Sequence, residues 1–352
     1  MIALLALLFA LDFSSLMSQA GKARASQKTD EAIELYKQAV KLQPASSEAW
    51  WYLGLCFYEK DRHAEGAAAF AKVTTQFPKQ GAGWAMLGVE QFNLKQYDEA
   101  LASLGKANNL GVPDLNGLQK IARYHYAVLL NRAGKFELSS SLLLLFVPEG
   151  AVTPLVRTAA GIAALRLRVL PDAIPADKKE QVQLAGEAAI LAWQKRVADA
   201  KKPAATLLDK YPKEPNAHYL MGYLLLLEQE PKCIDHFEEE LKLQPDHVQA
   251  RLQIAYEYLN RGNAAKGLSY AKEAVKRAPQ DFIAHNILGR ILMALDQVEA
   301  AVPELETAVK LEPASAEAHF HLATAYNRTG RKDEAARHRE MFAKLDKERK
   351  KE

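Results

Sequence analysis

Prolines recur along this chain at a nearly fixed step. Pro44 and Pro78 stand 34 residues apart, and Pro212, Pro245, Pro279 and Pro313 follow at steps of 33, 34 and 34. Most close a segment whose last turn carries Lys, Arg or Gln, as in Val40-Lys41-Leu42-Gln43-Pro44 and Leu241-Lys242-Leu243-Gln244-Pro245. Proline stops a helix because it lacks the amide hydrogen and disfavours the helical conformation in the residue before it. A fixed step of this size implies one supersecondary unit used over and over, each copy burying its apolar face on its neighbours. The 352 residues then read as about ten slots of one array, not as several separate cores.

Between the prolines one apolar pattern returns. Trp50, Leu53, Gly54 and Phe57 stand at i, i+3, i+4 and i+7, a single stripe of a helix. Trp84, Leu87 and Gly88 repeat it, as do His218, Met221, Gly222 and Leu225; Arg251, Ile254, Ala255 and Tyr258; His285, Leu288, Gly289 and Leu292; and His319, Leu322, Ala323 and Tyr326. The small residue at 54, 88, 222, 255, 289 and 323 removes a side chain where two helices cross. A second helix follows each time, with small and aromatic positions such as Ala32, Tyr36 and Ala39, or Gly66 and Phe70.

These motifs resemble the tetratricopeptide repeat, whose 34-residue signature is W-x2-L-G-x2-Y, then A-x3-F, then P. Residues 50–57 match its first half with Phe57 for Tyr, and Asp98-Glu99-Ala100 opens a second helix in its manner. The resemblance is strong over 45–110 and 214–343, weaker over 120–153, and lapses over 148–182. It implies an all-α fold, an α-solenoid in which antiparallel helix pairs stack into a right-handed superhelix.

The expected organisation is an N-terminal run of repeats over 27–147, an irregular helical bridge over 148–182, a C-terminal run over 183–343 and a charged tail over 344–352. Pro171-Asp172-Ala173-Ile174-Pro175 marks the bridge as turn-rich, and a degenerate repeat explains it better than a functional insertion. The polar tail caps the last helix. Ile2–Leu11 is an unbroken apolar run followed by Ser18-Gln19-Ala20, which reads as a signal peptide over 1–20, cleaved after Ala20, although no Lys or Arg precedes it. Export to a periplasm-like compartment follows from that reading; the rival is a buried first helix in a cytoplasmic protein.

Composition narrows function. Lys plus Arg number 46 and Asp plus Glu 43, a net charge of +3, far from the basic stripe of a nucleic-acid binder. Cys56 and Cys233 sit 177 residues apart inside helical patterns, so they read as small buried side chains with no metal-binding or redox spacing. No HExxH, GxSxG, CxxC or phosphate-cradling glycine loop is present, and the nine histidines form no constellation. His218, His285 and His319 hold the position of Trp50 and Trp84, and are read as aromatic packing groups. Gly134, Gly262 and Gly330, each after an Asn-Arg pair, suit the left-handed residue of a turn between antiparallel helices. We therefore expect no enzyme activity, no cofactor and no metal.

One residue beyond the packing stripe runs a second stripe, turned by about 100°. It reads Trp51, Leu55 and Tyr58; Val89 and Phe92; Tyr124, Val128 and Asn131; Tyr219, Tyr223 and Leu226; Leu252, Tyr256 and Leu259; Asn286, Arg290 and Met293; Phe320, Thr324 and Asn327. By the resemblance this face lines a concave groove that holds peptides or partner helices. Tyr, Trp, Asn and Arg are residue types that bind well. Family members that grip chaperone tails place Lys-x3-Asn on the first groove helix, and Trp51 with Leu55 departs from that. The reading is a scaffold for a protein or peptide partner, with no nucleic acid and no membrane span in the mature chain. The rival is a regulatory or substrate-binding subunit of an enzyme or of an envelope assembly complex.

Overall fold

A computed structural model describes residues 12–350. Among the described residues there are 19 α-helices and no strand, and the chain divides into two compact units, Met1–Gln194 and Lys195–Glu352. The first unit contains α1 (Phe13–Ala25), α2 (Thr29–Leu42), α3 (Ser47–Glu59), α4 (His63–Gln76), α5 (Gly81–Asn93), α6 (Tyr97–Leu110), α7 (Leu118–Arg132), α8 (Phe136–Leu144), α9 (Pro154–Ala164) and α10 (Lys179–Trp193). The second contains α11 (Val197–Lys210), α12 (Ala217–Leu227), α13 (Cys233–Leu243), α14 (Val248–Asn260), α15 (Ala264–Arg277), α16 (Phe282–Ala294), α17 (Val298–Leu311), α18 (Ala316–Arg328) and α19 (Lys332–Arg349). Helices pair with their sequence neighbours, and each pair packs on the next, so each unit is an α-solenoid of stacked antiparallel pairs.

The turns within pairs share one geometry. Gly134, Gly262 and Gly330 have φ of 76°, 72° and 79°, the left-handed conformation expected of them. The amide one residue beyond then bonds back across the turn, as in Asn263 N–H to the Tyr258 carbonyl at 2.7 Å and Arg331 N–H to Tyr326 at 2.9 Å. Asp61, Lys95 and Asp296 adopt the same conformation, with φ of 54°, 61° and 62°, at a cost of about 1 kcal/mol each relative to glycine.

The small-residue positions act where helices cross. A methyl added to Gly54 would lie 2.8 Å from the Phe70 ring, and one added to Gly222 would lie 2.7 Å from Phe237. Both phenylalanines are completely buried, as are both cysteines, which are free thiols.

The start of the chain fits the repeat more closely than its sequence suggests. Leu16, Ala20 and Ala23 are buried in α1, and each lies 34 residues ahead of Trp50, Gly54 and Phe57. The Asp12 carboxylate caps the helix by accepting from Ser15 N–H at 2.7 Å. Residues 2–11, the apolar run read as a leader, lie outside the described residues, whereas the cleavage point expected after Ala20 falls inside α1.

The segment 148–182 contains one complete helix, α9, and the start of another, α10, joined by single-turn 3-10 helices at Pro171–Ala173 and Ala176–Lys178. The two α-helices cross through Gly161 and Gly186, where a methyl on either would land on the backbone carbonyl of Val182 or Arg157. The lengthened loop therefore sits inside a helix pair, and the boundary between units comes later, after Gln194. At the other end, α19 carries the charged stretch from Lys344 as helix to Arg349, with Asp346 bound to Arg349 at 2.8 Å. Only Ala335 of this helix is buried, which makes its outer face the polar cap that a repeat array needs.

Candidate partner-binding groove

In the second unit the first helices α14, α16 and α18 touch one another in turn, and α5, α7 and α9 do so in the first. That contact lines up the second stripe. The Arg290 guanidinium lies 5.4 Å from the centre of the Tyr256 ring and pairs with Glu317 at 3.0 Å. His321 also reaches Glu317, at 3.3 Å. Phe320 is 49% exposed while its ring touches Phe342 at 5.5 Å, and Tyr223 is 38% exposed. Asn327 is exposed as well. Tyr223, Phe320 and Asn327 therefore present their side chains to solvent, while Tyr256 and Arg290 are half-buried against each other. Tyr219 differs, because it packs between the rings of Phe237 and His247 at 5.5 and 4.8 Å.

The first unit encloses its stripe further. Trp51 meets Phe70 edge-on at 5.4 Å. Phe92 lies against Tyr97 at 5.5 Å and His125 at 4.6 Å, and Tyr124 packs on the same histidine at 5.5 Å. Burial raises the Tyr58 phenol and pushes that of Tyr124 up to about 12, so both stay protonated. Asn131 and Asn286, expected on the open face, are enclosed instead. Asn131 is fully buried and donates Nδ2–H to the Ala159 carbonyl at 3.0 Å, which stitches α7 to α9; Asn286 is 5% exposed. The reason is local: the adjoining first helix passes over these positions.

The rings of the packing stripe carry a bond that residue type alone does not reveal. Trp50 and Trp84 donate their indole N–H to the carbonyls of Pro44 and Pro78 at 2.9 and 3.0 Å. His285 and His319 place Nε2 3.1 Å from the carbonyls of Pro279 and Pro313, the same bond from another ring. A carbonyl only accepts, so Nε2 carries the hydrogen there. The other ring nitrogen of His319, Nδ1, lies 2.8 Å from His338 Nδ1. His218 and His236 meet likewise at 3.0 Å, with ring centres 5.3 Å apart, a head-to-head contact with room for one hydrogen. Burial and the neighbouring histidine hold His236 and His338 below the ordinary histidine value. Sequence reading recognised the ring position but not the acceptor, whose signal is the constant six-residue offset to proline.

Another pair escaped it altogether. Glu90, completely buried in α5, lies 2.7 Å from His63 Nδ1 on α4, and no side chain larger than Gly66 would leave room for its carboxyl. Burial pushes Glu90 up to about 7, against the opposing pull of His63. The folded chain thus holds this proton from about pH 4.5 to 7 where the unfolded chain has released it, so the stability it contributes falls as pH rises through that window. Glu90→Gln should remove the slope: going from pH 5 to pH 8, the wild type should lose on the order of 2 kcal/mol relative to the variant in denaturant melts. A constant difference between the two proteins would contradict it.

No group of three or more His, Cys, Asp or Glu among the described residues is placed to hold a metal, and no described helix is long and apolar enough to cross a membrane. The family model of the tetratricopeptide repeat matches residues 19–81, 252–305 and 288–338. None of the curated proteins matches the chain. Among solved structures, MamA 41-end from Desulfovibrio magneticus RS-1 is 22% identical with a TM-score of 0.45, over 48% of this chain and 97% of that one. YrrB, described as "a TPR protein with an unusual peptide-binding site", is 17% identical with a TM-score of 0.33, over 68% and 90%. The Cut9 and Hcn1 hetero-tetramer of APC/C is 13% identical with a TM-score of 0.38, over 96% and 80%.

Proposed function

We propose, from the premise that this chain belongs to the tetratricopeptide-repeat proteins, that it is a non-enzymatic scaffold whose second unit holds a peptide or partner helix in a groove of first helices. The observation that carries this reading is that Tyr223 and Phe320 stand exposed on first helices of the second unit, with the half-buried Arg290–Tyr256 contact on the helices between them. Aromatic rings of this kind supply contact area at small entropic cost, and an arginine lying on a tyrosine is already oriented for a partner. The enclosed stripe of the first unit contributes rigidity to its own array. Specificity comes from the linear order of side chains, one or two per repeat.

Affinity capture from the native host, comparing wild type with a Tyr223→Ala, Arg290→Ala, Phe320→Ala triple variant, tests this. Capture of the partner should weaken by tenfold or more, on the order of what interface anchors supply, while the helical circular-dichroism signal persists. Tyr219 is left intact because its packing on Phe237 and His247 would confound the result. Unchanged capture by a folded triple variant would refute groove binding in this unit.

A further inference from the structure

In three helix pairs of the second unit a histidine of the first helix meets one residue of the second. In α16/α17 the His285 Nδ1 lies 2.6 Å from a carboxylate oxygen of Glu304. In α12/α13 and α18/α19 the facing residue is another histidine, and Nδ1 meets Nδ1 at 3.0 Å for His218–His236 and 2.8 Å for His319–His338. The places correspond: Glu304 and His338 each stand 19 residues after their partner, and His236 stands 18 after its own.

The contacts differ in how many hydrogens they accept. Around His285, Nε2 faces the Pro279 carbonyl at 3.1 Å and Nδ1 faces the carboxylate, so a charged ring finds an acceptor at both nitrogens. Two imidazole nitrogens in contact hold one hydrogen between them. A second hydrogen leaves two N–H groups pointing at each other on two like charges. His319 is 5% exposed, and turning its ring away would give up the bond from Nε2 to the Pro313 carbonyl.

The surrounding charges do not remove the conflict. His236 is faced by Asp235 and Glu239 of its own helix, and Glu239 is tied to Lys242 at 2.6 Å. His338 is faced by Glu306 of α17, which already accepts from the Tyr326 hydroxyl at 2.6 Å, and by Arg337, which adds to the repulsion. Burial, then the neighbouring histidine, outweighs these carboxylates and holds His236 and His338 below the ordinary value. A histidine so held contributes its stability at neutral pH and above and loses it as pH falls, beginning near the ordinary value of about 6.5.

We propose that His218–His236 and His319–His338 form an acid-sensitive switch: a second proton taken up at either contact drives its two helices apart, while α16/α17, joined through His285 and Glu304, stays closed. Tyr223 lies on α12 and Phe320 on α18, so acid loosens the helices that present the exposed rings of the groove. Release of a partner in acid rests on the groove reading; the switch itself does not.

Hydrogen exchange of the full chain without any partner, read by mass spectrometry at pH 7.5 and at pH 5 and corrected for intrinsic rates, tests the switch. Amides of α13 and α19 should open on the order of tenfold more readily at the lower pH, the factor that one pKa unit represents, and those of α17 should not. A variant combining His236→Gln and His338→Gln keeps a polar side chain that takes up no proton, and should lose the acid response. A variant combining His236→Glu and His338→Glu copies the α16/α17 pairing and should reverse the response, with α13 and α19 better protected in acid. His321, held low by burial and by Arg290, is present in every variant and does not account for a difference between them. If a variant folds more weakly at both pH values, the ratio between the two still reads the switch. An acid response that survives in the glutamine variant, equal acceleration in α17, or no acceleration in α13 and α19 of the wild type overturns the proposal.

Discussion

Gly161→Val should lower the stability of the first unit by about 3 kcal/mol, the upper part of the range for overpacking a close contact. The cause is geometric. The backbones of α9 and α10 cross so closely at Gly161 and Gly186 that any β-carbon at 161 would strike the Val182 carbonyl. A backbone oxygen cannot rotate away as a side chain can, so the helices must separate. Separation loosens contacts made by the buried Ala160, Ile162, Ala185 and Ala189. Gly161→Ala should be milder, because alanine recovers about 1 kcal/mol of helix propensity. The readout is built into the chain: its four tryptophans, Trp50, Trp51, Trp84 and Trp193, all lie in the first unit. The denaturant midpoint followed by tryptophan fluorescence should fall. An unchanged midpoint would show that α9 and α10 can part without cost.

Phe237→Ala should cost the second unit about 3–5 kcal/mol, the usual range for emptying a buried phenylalanine site. Phe237 is wholly inaccessible, lies on the backbone at Gly222 and touches Tyr219. Glycine at 222 and phenylalanine at 237 are complementary, so no neighbour can collapse into the void without moving α12 against α13. Because repeats contact only adjacent repeats, the loss should stay local. Circular dichroism should show an earlier transition that tryptophan fluorescence, blind to the second unit, does not follow. Coincident transitions at a lowered midpoint would instead mean that the units unfold together.

The features legible in the sequence are those written in short-range periods. The proline stops, the small residue at each crossing and the left-handed glycines follow from rules acting within one or two turns of helix, and the structure places them as expected. The second stripe can be written down from sequence, since it is the packing stripe advanced by one residue, but which of its members lie open cannot: Val89, Val128 and Leu252 are buried. Its enclosure at Asn131 and Asn286 cannot be read there either, because that depends on how closely the adjoining first helix passes. Glu90 reads in sequence as one more solvated carboxylate; only the fold brings it to His63, 27 residues away. The Gly161 crossing did leave a trace, in the clusters Ala159-Ala160-Gly161 and Ala185-Gly186, but without the phase of the prolines nothing linked them. For α1, the repeat signal is the 34-residue offset linking Leu16, Ala20 and Ala23 to the next repeat, and it directly follows an apolar run that carries a leader-like pattern of its own.

The bonds from Trp50, Trp84, His285 and His319 to proline carbonyls span six residues, and side-chain bonds between neighbouring repeats, such as Arg24 to Glu59 and Arg328 to the Met293 carbonyl, span 35. Against a length of 352 that is a very low contact order. Chain closure therefore costs little at any step, and a nucleus can form in whichever repeat pair is strongest, then spread one pair at a time. During synthesis, the first unit has what it needs to fold soon after α10 emerges, long before the helices of the second unit have been made.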